Sequence, residues 1–118
     1  MESQPITRTI IDHHVLASSL RVEHVEVRRI SIAPGVMPGA HWHNGPVFGV
    51  IEQGSVFFQV EGDAERVLRA GDTFFEPSDA TIARFDATDE GVTFLAWFPM
   101  ASGVEPELTM RPLPGTAT

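Results

Sequence analysis

The 118-residue chain contains no cysteine, which excludes disulfides, thiolate zinc sites and cysteine nucleophiles. Basic residues are scarce: eight Lys and Arg stand against sixteen Asp and Glu, a formal net charge of -8. No basic cluster offsets that charge, so nucleic-acid backbones and anionic membranes are repelled. No apolar run approaches the ~18 residues that a bilayer-spanning helix needs. The N-terminal MESQPITRTI lacks the basic-then-apolar order of a secretory signal, and a cytoplasmic protein is expected. There is no P-loop, GAHWHNG lacks the dinucleotide fingerprint spacing, and no serine sits in a G-x-S-x-G elbow. No nucleotide cofactor is therefore expected. A 3.6-residue apolar period nowhere persists long enough for a substantial helix, and residues 12–20 have room for one turn.

What the chain does have is punctuation, with 10 Gly and 9 Pro. Between these lie short runs rich in Val, Ile, Phe and Thr: VEHVEVRRISI, VFGVI, SVFFQV, DTFFE, TIARF and VTFLAWF. Runs spaced about ten residues apart by turn signals read as an all-β sandwich or barrel. Residues 1–118 are expected to form one domain, with a core at about 22–98, an N-terminal strand or arm at 1–21 and a tail at 99–118. Alternation puts Val56, Phe58 and Val60 on one inward side. It pairs Phe74 with Glu76 against Thr73 and Phe75, without deciding which pair is inside. It also pairs Ile82 with Arg84 against Ala83 and Phe85.

Residues two apart on a strand point the same way, so the imidazoles of His41-Trp42-His43 can converge on one ion. Alone, such a triplet occurs by chance. Its setting is more specific. From Gly35 to Gly54 the chain resembles the first motif of the cupin superfamily, with Gly35, His41, His43 and Gly54 at the family spacings and Val47 at the glutamate position. GDTFFEPSDATIARFD resembles the second motif: Gly71 and Pro77 match, while Asp79, Ile82 and Asp86 occupy the second glycine, histidine and asparagine positions.

The resemblance implies a cupin double-stranded β-helix, a jelly-roll barrel that is often dimeric and has a pocket in its mouth. It also implies a divalent metal (Fe, Mn, Ni or Zn), which the family commonly holds with three histidines and a glutamate. Only His41 and His43 carry over, and three protein ligands are the usual minimum. In cupins the residue before the motif proline usually points into the barrel, and relatives of diketone-cleaving dioxygenases also place a glutamate there. Glu76 occupies that position. It is either a third ligand completing a two-histidine, one-carboxylate set, or a general base whose pKa an apolar wall raises. The alternatives are an exposed carboxylate or an ion pair with Arg84.

The replacements at Val47 and Ile82 imply a greasier cavity, to which Met37, Phe58 and Trp97 are candidate contributors along with Arg84. For this expected site two classes of function stand. One is a cupin enzyme, with His41, His43 and Glu76 as catalytic residues. It would be an Fe(II)-type dioxygenase acting on an enol, diketone or aromatic substrate, or a metal-independent isomerase, dehydratase or cyclase. The other is a non-catalytic small-molecule-binding cupin. A homodimer is expected, because jelly-roll edges and outer-face apolars such as Phe57 and Phe85 need cover.

Overall fold

Most turn signals end a strand, whereas QGS and DEG fall inside two long strands and only bend them. The computed structural model, which describes residues 5–111, contains seven strands and no helix among those residues. They are β1 (His24–Ile32), β2 (His41–His43), β3 (Val47–Val60), β4 (Arg66–Arg69), β5 (Thr73–Glu76), β6 (Ile82–Met100) and β7 (Leu108–Met110). Residues 12–20 form no helical turn. All pairings are antiparallel. β3 and β6 are long enough to serve two layers. In one, residues 92–100 of β6 lie between β1 and the start of β3, whose far side carries β5. In the other, the end of β3 lies between β4 and the start of β6, and β2 and β7 continue from there.

Strands change layers through bulges and bends. Here the β3–β6 register slips between Ile51 and Gln53 and again between Gly54 and Val56. Gly54 and Gly91 meet at this corner, both at positive φ. A Cβ on Gly54 would stand 1.9 Å from the Gly91 carbonyl oxygen, so only glycine lets the two backbones pass this closely.

The undecided pair at 74 and 75 is resolved inward for Phe74 and Glu76, both buried, and outward for Phe75. Phe74 packs edge-on to Phe85 and Phe94, with centroid separations of 5.2 and 5.7 Å. Burying each such ring contributes about 2 kcal/mol by area. Gly49 makes the room, since a Cβ there would lie 2.1 Å from the tip of Phe74.

Phe85, expected on the outer face, is core, whereas Arg84 is outside. A third register slip explains both. Gln59 faces Arg84 but Val60 faces Ile82, leaving Ala83 as an extra residue. The bulge reverses the alternation, so Ile82 and Phe85 are both buried. Arg84 pairs with Asp86 at 2.7 Å and with Glu65, and lies 4.1 Å over the ring of Phe57. Phe57 is thus partly covered by its own chain.

Candidate metal centre and ligand cavity

β2 is only three residues long, and its alternation turns both imidazoles inward while Trp42 faces out beneath the Arg111 guanidinium. His41 and His43 are 5% and 9% exposed, with ring centroids 5.0 Å apart. The Nδ1 of His41 lies 3.1 Å from the Gly39 carbonyl. A carbonyl only accepts, so Nδ1 carries the proton, and the Nε2 of the neutral ring is left with a free lone pair. The next turn supports β2 as well. Asp79 takes the left-handed conformation (φ 63°) at the motif's second glycine position, and its amide donates to the His43 carbonyl at 3.0 Å.

Glu76 reaches this pair from β5. Its Oε1 lies 2.9 Å from His43 Nε2 and 3.6 Å from His41 Nε2. The close approach is an ion-pair contact not aligned as a hydrogen bond, so Oε1 is buried without a hydrogen-bond partner. One donor atom from each of His41, His43 and Glu76 falls within 4.8 Å of the others. The carboxylate has in effect moved one strand over, because Val47, at the motif's glutamate position, is the direct cross-strand partner of Glu76. Paired residues share a face, so a side chain from either position enters the same space.

Burial alone would raise the Glu76 pKa, as expected from an apolar wall. The two imidazoles outweigh it and hold the carboxyl below its ordinary value. Burial likewise disfavours a charged His41, yet Glu76 beside it leaves that imidazole raised. The general base with an elevated pKa is corrected to a carboxylate that stays ionised.

The three residues open onto a cavity of about 240 Å³. Val47 lines it as expected. The rest of its wall is apolar and includes Ile30, Ile32, Phe94, Phe98 and Leu108. Of the other expected pocket residues, Ile82 and Phe58 are buried in the core rather than on this wall. Met37 is 69% exposed on the loop before β2, where its neighbour Pro38 takes the place at the cavity. Trp97 lies on the outer face, opposite Val27 and Phe48. Arg84 approaches neither Glu76 nor the histidines, for the bulge described above.

Sequence reasoning missed the C-terminal wall. β7 lies in the expected tail, pairs with β2 and brings Leu108 opposite His43. Asn44, given no role from sequence, clasps this segment. Its side-chain nitrogen donates to the Glu105 carbonyl at 3.0 Å, and its side-chain oxygen accepts from the Glu107 amide at 2.9 Å. The readable signal was Asn44 itself, a polar residue in a turn beside the histidines.

The family model described as "Cupin domain" matches residues 28–98. No curated protein matches the chain. Among solved structures, a cupin-like protein from Thermotoga maritima superposes with a TM-score of 0.61 at 23% identity, covering 70% of this chain and 62% of that one. A DMSP lyase from Ruegeria pomeroyi gives 0.62 at 23% identity, over 70% of this chain and 42% of the lyase. An oxalate oxidase in complex with glycolate gives 0.62 at 22% identity, over 73% and 45%. This chain therefore spans less than half the length of the last two.

Proposed function

Because this chain belongs to the cupin domain family, we propose that its cavity is the active centre of a metal-dependent enzyme acting on a small molecule, with His41, His43 and Glu76 as metal ligands. The observation that carries this is the buried Glu76 oxygen, which makes no aligned hydrogen bond and is poised between two imidazole nitrogens. Buried polar groups are nearly always satisfied, and a divalent cation would satisfy this one. Two histidines and one carboxylate suit Fe(II), and Mn, Ni or Zn accept the same donors. When bound, Fe, Mn or Ni would supply open positions and the redox chemistry suited to oxygen-dependent cleavage of an enol, diketone or phenol, whereas Zn would supply a Lewis acid only.

The chain's own contribution is positional. Gly39 orients the His41 ring, Glu76 supplies the negative charge, and the apolar wall keeps water from the reacting face. The test is metal analysis of protein purified without a histidine tag, alongside Glu76→Gln. Near-stoichiometric metal in the parent and its loss in the variant are expected. Equal metal in both would remove Glu76 from the ligand set.

A second reading is supported by the 2.9 Å approach of His43 to Glu76, which suits acid–base isomerisation, dehydration or cyclisation without metal. Turnover in metal-stripped protein would favour it, and ligand binding without turnover would favour a binding module. The proposal extends to a cytoplasmic homodimer. The dimer is supported by the outer face of β1, where Val25 and Val27 are each 51% exposed beside Trp97. A monomer mass by light scattering at micromolar concentration would end the dimer reading.

A further inference from the structure

The polar groups of the cavity wall are confined to one spot, and the remainder of the wall is hydrocarbon. We infer that the cavity selects a small molecule with a single oxygen-bearing head and an uncharged, apolar body, and rejects dicarboxylates, zwitterions and sugars. This rests on the cavity being the ligand site proposed above, and it adds which ligands that site admits.

Counting charge explains the limit to one head. Two neutral imidazoles and one carboxylate carry a single negative charge, which a divalent cation would turn into a single positive one. One anionic or strongly polarised head is then compensated. A second polar group at the far end of the ligand would be buried against Ile30, Phe94 and Phe98 with nothing to pair it. The arginines near the site are committed elsewhere. Arg28 lies 4.9 Å over the ring of Phe98, near the cavity, but its guanidinium is held by Glu26 at 2.6 Å and it forms no part of the wall. Arg111 bonds Thr81 and covers Trp42 on the outer side. Hydroxyl-rich ligands fail for the same reason, since each hydroxyl would lose its water for a carbon surface.

Size follows from volume. An apolar cavity of about 150 Å³ takes a benzene ring. On that scale the 240 Å³ here holds about ten non-hydrogen atoms.

The experiment titrates acetophenone, glutarate and xylose, probes of similar size, into the protein by calorimetry, both as purified and after chelation. Metal content is measured on the same samples. Acetophenone is expected to bind about 100-fold more tightly than either competitor. Leu108→Arg, which puts a cation on a wall residue already 53% exposed, should raise glutarate affinity about tenfold or more. Arg28→Ala should leave the ranking unchanged. Glutarate or xylose binding within about tenfold of acetophenone in the parent protein overturns the inference. So does failure of the natively folded protein to bind acetophenone. Selectivity without metal sinks the metal centre and leaves this inference standing, whereas metal without selectivity does the reverse.

Discussion

Exchanging the residues at 47 and 76, as Val47→Glu with Glu76→Val, should return the carboxylate to the motif's own position and preserve the metal centre. The two residues face each other across β3 and β5, and both are buried, at 2% and 3% exposure. Cross-strand partners have Cβ atoms about 5 Å apart, a gap that a glutamate side chain spans. The single variant Glu76→Val sets the scale. Four-ligand structural zinc sites gain about 10–16 kcal/mol, so one ligand is worth about 3 kcal/mol, or ~100-fold in Kd. Glu76→Val should therefore weaken zinc or iron binding by about that factor, and the double variant should recover to within about tenfold of the parent.

Stability separates loss of a ligand from loss of fold. Removing one member of a buried ion pair is costly when a charge is stranded. Once pH exceeds the raised His41 pKa no charge is stranded on that ring, so there metal-free Glu76→Val should melt close to the parent. Calorimetric titration of metal into chelator-treated protein, with a melt of each variant, is the assay. The reasoning is refuted if Glu76→Val binds metal as the parent does. It is also refuted if the double variant folds, keeps the cavity and still fails to bind.

The pH dependence of the metal-free protein follows from the same cluster. The contribution of Glu76, whose carboxyl is held below 4.5, is complete above that value and lost as pH falls through the lowered pKa. The contribution of His41, held above 6.5, is complete below that value and lost as pH rises through the raised pKa. The melting difference between metal-free parent and Glu76→Gln should thus peak between 4.5 and 6.5. A difference that is flat, or that grows with alkalinity, contradicts the ion pair. Asn44→Ala removes two hydrogen bonds to the C-terminal segment, worth about 1 kcal/mol each. Amide exchange should quicken at residues 105–110, while the core strands stay protected. Phe74→Ala should cost about 3–5 kcal/mol by denaturant melts, because the ring is 3% exposed and packed among Phe58, Phe85 and Phe94.

Which parts of this architecture are legible in the residues depends on how far each inference must travel along the chain. The inward turn of His41 and His43 needs only a two-residue period, and Gly35, Gly54, Gly71 and Pro77 mark turns by local backbone chemistry. The all-β class is legible for the same reason, whereas the jelly roll comes from the resemblance of the two motifs to those of cupins. Phe74 and Phe75 are not separable, because both faces carry an aromatic residue and only the β3–β5 register chooses between them. Arg84 is misplaced because alternation was carried across Ala83, where the chain inserts one residue that no composition signal marks. The cavity's far wall lies furthest from view. Leu108 belongs to a three-residue strand that exists only because β2 offers it an edge 65 positions earlier in the chain, with Leu108 opposite His43. The carboxylate sits between these extremes. A missing glutamate at 47 and an unexplained one at 76 look unrelated in one dimension, and they become a single site once antiparallel pairing sets them face to face. Chemistry is therefore tied here to a position in space rather than to a place in the motif, which is why the exchange of 47 and 76 tests the site more sharply than deleting either residue.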